Sequence, residues 1–192
     1  YLDIGMDGYL TKPFDKAKIN SLLNVYNPKN LNLKNLAVKI SDPNVSSDRK
    51  LKQICKELKT LIPNANRVSL WLFNKEYSTL NCLICLDENN DVSSGTVLYT
   101  ENSPAYFNYI LANQVLDASD VRNNEVTKPF SHSYFEPLDI YSLLDYIYTL
   151  NSKPLGVICC ESVGSKVTWS QADKKSLIKV ADVTNLFLSK QI

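Results

Sequence analysis

The residues best equipped for chemistry in this chain are five cysteines and a single histidine. Cys82-Leu83-Ile84-Cys85 has the spacing of a redox or zinc half-site, and Cys159-Cys160 is a second pair. A thiolate would be the attacking group in the first chemistry and the ligand in the second. All but Cys55 sit in apolar, strand-like runs. Strand alternation sends side chains an odd number of residues apart to opposite faces. Neither pair is therefore expected to close a disulfide or share a metal. A thioredoxin-like motif would also need a helix N-terminus, and zinc would need ligands beyond His132. Buried, reduced strand cysteines are the expectation, with no catalytic residue and no metal site. No Gly-rich phosphate loop or metalloprotease helix is found either.

Composition narrows the field further. The chain has 192 residues, 44% of them hydrophobic, which suffices for a buried core in one large or two small domains. Charge is nearly balanced, 21 basic against 20 acidic residues. Residues 1–62 hold 11 basic and 6 acidic groups, an imbalance too small to predict nucleic-acid binding. An odd, sparse set of cysteines argues against a secreted disulfide framework and for reduced thiols in a cytoplasmic protein. No apolar run reaches the roughly 18–20 residues that span a bilayer. With Tyr1 in place of methionine and no signal peptide, the chain reads as a fragment of a longer cytoplasmic protein.

The elements that would position any site follow from periodicity. Asp15 can cap a helix from Lys16 to about Val25. The polar stretch 27–46 reads as a linker, in which Leu31, Leu33 and Leu36 could dock or extend the preceding helix. Leu51, Ile54, Cys55, Leu58, Leu61 and Ile62 then recur at helical spacing. From Arg67 the period falls to two, predicting strands Arg67 to Phe73 and Thr79 to Leu86 as a hairpin. A third strand is expected at 96–100, a helix from Ala105 with Pro104 at its first position, and a short strand from Val115 to Ala118. Residues 119–139 are irregular. A second hairpin, 142–149 with 155–162, turns about Asn151-Ser152-Lys153-Pro154. Ser170 and Asp173 cap a final helix whose stripe is Leu177, Val180, Ala181, Thr184, Leu186 and Phe187. This order predicts an α+β fold, an antiparallel sheet flanked by N- and C-terminal helices.

Four phrases in this order resemble a GAF domain across about residues 36–190. They are Arg67-Val68-Ser69-Leu70-Trp71-Leu72-Phe73, Asp117-Ala118, Lys153-Pro154-Leu155-Gly156-Val157-Ile158-Cys159-Cys160-Glu161, and Thr168-Trp169-Ser170. Without the resemblance, Gly156 reads as a place of close backbone passage, and Trp169 as a staple holding the last helix to the sheet. Residues 1–26, with Gly5-Met6-Asp7-Gly8-Tyr9-Leu10-Thr11-Lys12-Pro13-Phe14, resemble the end of a response-regulator receiver domain. In that family the lysine before the proline reaches an aspartyl-phosphate site, whose acidic residues would lie upstream, so Lys12 is a remnant. The implied division is 1–26 receiver remnant and helix, 27–46 linker, and 47–192 sensory domain.

The resemblance implies a pocket beneath the irregular insert. Its expected polar lining is Asp117, Arg122, His132, Tyr134 and Ser142. The bland alternatives are capping or a surface ion pair for Asp117 and Arg122, and a solvated loop position for His132. His132 could otherwise ligate haem or touch a small molecule. The Asn-Lys-Phe-Asp-Glu signature of cyclic-nucleotide-binding relatives is absent, and no cysteine lies between Cys85 and Cys159 to anchor a bilin. The cofactor is left unknown.

The resemblance implies a regulatory sensory module of a bacterial two-component protein, not an enzyme. It would sense a small-molecule ligand, relay a signal by helix packing, or do both. Its terminal helices would form a homodimer seam, although the sheet's own core could consume their apolar stripes. Nucleic acid and membrane are not expected partners. Two rivals stand beside this reading: a ligand-free dimerisation or interaction domain, separable by ligand screening, and a thiol-dependent small-molecule reductase, separable by cysteine replacement.

Overall fold

The computed structural model describes residues 28–188. The expected receiver remnant, 1–26, lies outside them. Helix α1 runs Pro28–Ser41 and α2 Ser47–Leu61. Strands β1 (Arg67–Phe73), β2 (Thr79–Leu86), β3 (Val92–Ser93) and β4 (Val97–Tyr99) lead to α3 (Pro104–Ala112). Strand β5 (Val115–Ala118), strands β6 (Ile140–Leu150) and β7 (Lys153–Val163), and α4 (Gln171–Leu188) complete the order. The sheet has seven strands in the order β3-β2-β1-β7-β6-β5, with β4 also on β2, and every pairing is antiparallel. This is the α+β plan expected from the change of period.

The two faces of the sheet carry different layers. Leu51, Ile54, Leu58 and Leu61 of α2 and Leu177, Val180 and Phe187 of α4 pack on one face against Val68, Leu70 and Ile158. Trp169 is buried in that layer, as a staple at the start of α4 would be. The Ser170 amide donates to Asp173 Oδ2 at 2.9 Å and the Asp173 amide returns a bond to Ser170 Oγ at 3.1 Å. That reciprocal arrangement satisfies amides the helix start would otherwise leave orphaned. The stretch 27–46 is not an open linker, because α1 occupies 28–41 of it. Asn and Lys make it look like a loop, but Leu36 and Ile40 are buried against α2 and α4. Tertiary burial outweighs a weak local propensity.

The opposite face is covered by α3 and by 119–139, which forms a 3₁₀ turn at Lys128–Phe130 and a π-turn at Ser131–Phe135. Phe107, Ile110 and Phe135 pack there on Leu80, Leu116 and Val157. The β6–β7 hairpin turns through Asn151 and Ser152, both at positive φ (51° and 62°), matching the right-handed twist of the paired strands. In the same hairpin Tyr148 passes over Gly156, and its hydroxyl donates to the Trp71 carbonyl on β1 at 2.6 Å. A side chain at 156 would block that passage.

One register detail overturns an expectation. Leu70 pairs with Ile84 but Trp71 pairs with Cys82, so β2 bulges by one residue at Leu83. The bulge resets the alternation. Cys82 and Cys85 consequently face the same, lid-side layer, and do not take opposite faces. Cys159 and Cys160 do part company, one on each face. No described helix is long and apolar enough to cross a membrane.

Candidate functional site

Between the sheet and its lid lies a cavity of about 210 Å³. Trp71 of β1, Leu80 of β2, Leu98 of β4 and Leu143 of β6 supply apolar wall, and the lid adds Phe130 and Phe135. The lid's rings meet edge to face: Tyr106–Phe130 at 5.4 Å, Phe130–Phe135 at 6.0 Å and Tyr134–Phe135 at 5.4 Å between centroids. That geometry suits the ring quadrupoles and makes the lid a packed unit. Thr96 and Ser133 are exposed and mark the mouth.

The polar floor comes from charged residues set in apolar strands. Glu161 of β7 is wholly buried, directly opposite Arg67 of β1. Arg67 Nε lies 3.1 Å from Glu161 Oε2, an ion pair not aligned as a hydrogen bond. Tyr134 Oη, from the lid, donates to the same oxygen at 3.2 Å. Glu161 Oε1 has no hydrogen-bond partner among the described residues. Burial pushes the Glu161 carboxyl up to about 7, against the pull of Arg67. Burial works against the Arg67 charge too, but Tyr134 and Glu161 more than offset it and hold the guanidinium protonated.

Asp145 of β6 repeats the pattern. It is wholly buried, its Oδ2 accepts the Tyr106 hydroxyl at 2.6 Å, and Oδ1 has no hydrogen-bond partner among the described residues. Burial raises its carboxyl to about 6, with Cys159, opposite on β7, and Tyr106 pulling it back. Both carboxyls thus communicate with the cavity through tyrosines that line it.

The thiols are chemically quiet. All five are free and buried. Burial pushes Cys85 up to about 11 and Cys82 up to about 12, and raises Cys55, Cys159 and Cys160 as well. Cys85 and Cys159 both flank Ser69, one strand to either side. Two strand spacings put their backbones about 9–10 Å apart, beyond disulfide reach. Among the described residues no group of three or more His, Cys, Asp or Glu side chains is placed to hold a metal.

Of the five residues expected to line the pocket, the structure places only Tyr134 in its wall. Asp117 lies on the helix side of β5, paired with Lys174 of α4 at 2.6 Å. Arg122 ties the lid down: Nε donates to the Ile140 carbonyl at 3.0 Å, and the guanidinium stacks 4.1 Å from the Tyr141 ring centre. His132 is 95% exposed on the outer surface of the lid, with Glu136 3.0 Å away. Ser142 is buried as a connector, its Oγ donating to the Ser119 or Val167 carbonyl and accepting the Val167 amide. Of the polar groups chosen near the insert, Arg122 and Ser142 anchor the insert, while Asp117 ties β5 to α4 and His132 faces outward. Glu161, Arg67, Asp145 and Tyr106 went unselected. For Glu161 and Asp145 the signal was in the sequence: a charge inside an apolar strand run, such as Leu143-Leu144-Asp145-Tyr146-Ile147, must be paired or functional.

Comparison with known proteins identifies the architecture. No protein-family model matches the chain, and no curated protein matches it by sequence. Solved structures do match by shape. The GAF domain of a phosphoenolpyruvate-protein phosphotransferase from Acinetobacter superposes with a TM-score of 0.65 at 11% identity, covering 86% of this chain and 96% of that one. The phycocyanobilin-bound GAF domain of a cyanobacterial phytochrome gives 0.67 at 10% identity, covering 84% and 94%. The GAF domain of a two-component sensor histidine kinase from Bacillus halodurans gives 0.57 at 21% identity, covering 75% and 92%. The fold is that of GAF domains.

Proposed function

We propose that the chain is a regulatory sensory module of a cytoplasmic two-component signalling protein, binding a compact small molecule between its sheet and lid. The carrying observation is the aromatic-walled cavity, open at one mouth, with Glu161 in its lining and that residue's buried Oε1 left without a partner among the described residues. An unsatisfied buried acceptor is costly, and a ligand donor would relieve that cost. The fold matches, over 81–86% of this chain, to GAF domains and a chemotaxis-protein fragment fit this reading. In it, Tyr134 and Glu161 contact the ligand, while Arg122 and Ser142 keep the lid and β6 in position. Asp117 and His132 have no ligand role.

The wider frame belongs to the same proposal: residues 1–26 end a receiver domain, 47–192 form the sensory domain, and α1 joins them. Helices α1, α2 and α4 share one face, so a change of packing there would reach both ends and a homodimer seam. The raised thiols speak against the reductase alternative, and neither nucleic acid nor membrane is a partner.

Thermal denaturation of the full chain against a library of compact metabolites tests the reading. A true ligand at a hundredfold its Kd stabilises by about 2.7 kcal/mol, roughly 5–10 °C for a chain of this size. Leu98→Trp, which fills the cavity from its short edge strand, should abolish the shift. A flat response across the library would favour the ligand-free interaction domain.

A further inference from the structure

The unused hydrogen-bonding capacity in the depth of the cavity is one-sided. The inner hydroxyls of its wall already donate elsewhere: Tyr134 to Glu161 Oε2 and Thr127 to the Val121 carbonyl at 2.7 Å, while Tyr106 donates to Asp145; the Thr96 and Ser133 hydroxyls lie at the exposed mouth. Arg67, spent on Glu161 and on the Tyr134 ring, is not part of the wall. Among the buried polar atoms of the described lining residues, the one left unpaired is an acceptor, Glu161 Oε1. The charge count points the same way. Two wholly buried carboxyls, Glu161 and Asp145, stand against one partly buried guanidinium, Arg67, leaving a deficit of one positive charge when both are ionised. Buried charge is tolerated when paired.

Size and wall chemistry narrow the ligand further. A cavity of about 210 Å³ has room for a single ring with one short substituent. Aromatic walls favour a flat apolar body and also attract cations.

We infer that the cavity takes a compact single-ring cation, a protonated amine or amidine, whose N–H group bonds Glu161 Oε1 while its ring packs on Trp71 and Phe130. This deepens the ligand-sensing reading and rests on it. Arg67 holds one oxygen of Glu161 and keeps the other turned to the ligand. Tyr134 couples the occupied site to the lid through the shared carboxylate.

Three near-isosteric probes test the charge directly: benzamidine, benzamide and benzoate, titrated calorimetrically into the full chain at pH 8. Benzamidine should bind about tenfold or more tighter than benzamide, and benzoate should give no measurable heat. Glu161→Gln should bring benzamidine and benzamide within about threefold of each other, and Leu98→Trp should remove all binding. The comparison on the unaltered chain decides even if a variant fails to fold. If benzamide or benzoate binds as well as benzamidine and Leu98→Trp removes it, the cation inference falls while the cavity stands as a ligand site. If none of the three binds at millimolar concentration, the inference falls together with the claim that the cavity is accessible.

Discussion

Replacing Gly156 with alanine should be among the most damaging single-methyl additions to the domain. A Cβ at 156 would sit 1.9 Å from the Trp71 carbonyl oxygen and 2.3 Å from the Tyr148 hydroxyl, where real Cβ contacts essentially never fall below 3.0 Å. The ladder between β1 and β7 must open by roughly 1 Å in an interior packed like a crystal. Overpacking of this kind costs about 1–3 kcal/mol or more. The displaced Tyr148 hydroxyl, fully buried, loses its bond to Trp71 and adds about 1–3 kcal/mol. A total near 3–5 kcal/mol is a large part of the roughly 5–15 kcal/mol typical of a domain. In urea, with m about 2 kcal/mol/M, the midpoint should fall by roughly 1.5–2.5 M. Tyr148→Phe separates the two parts. Because the nearer clash is with backbone, Gly156→Ala should still cost about 2 kcal/mol or more when Tyr148→Phe is already in place. A loss below about 1 kcal/mol, or complete rescue by Tyr148→Phe, would refute the close-passage account.

Three further outcomes follow from the buried charges and thiols. The folded Glu161 carboxyl titrates near 7, above its usual 4.5, so the native state holds a proton that the unfolded chain has released. Its contribution is fully present below about pH 4.5 and is lost as pH rises through about 7. Urea unfolding from about pH 4 to 8 should therefore show wild type losing up to about 3 kcal/mol relative to Glu161→Gln. A flat difference between the two would contradict the buried, raised carboxyl. Arg67→Met should cost about 3–5 kcal/mol at about pH 8, where it strands an ionised Glu161. The loss should shrink at about pH 5, and equal losses at both pH values would show that the pairing is immaterial. A disulfide thiol reagent at about pH 8 should label the five cysteines only at the rate of unfolding, and fast labelling of any described thiol would show it is not buried.

The sequence was most legible where one periodicity ruled. Val68, Leu70 and Leu72 alternate, and Leu51, Ile54, Leu58 and Leu61 recur at helical spacing, so the central hairpin, α2 and α4 could be placed without coordinates. Trp169 and the Ser170/Asp173 cap were legible for the same local reasons. Illegible features depended on tertiary context. Helix α1 is held by burial of Leu36 and Ile40 under a polar sequence. The Leu83 bulge has no glycine to announce it, so Cys82 and Cys85 were assigned opposite faces. The cavity lining was legible only at Tyr134 among the five residues chosen. Proximity to the insert selected Asp117, Arg122, His132 and Ser142, whereas burial within a strand selects Glu161 and Asp145.

The Leu83 bulge has an evolutionary consequence. On β2, Leu83 and Ile84 both turn toward the helices, while Leu80, Cys82 and Cys85 turn toward the lid. A lineage could lose either of those two codons and keep every other side chain of the strand on its present face. Losing any other residue between Leu80 and Leu86 would invert part of the strand and drive lid-side groups under the helices. Natural length variation in this strand should therefore concentrate at those two positions.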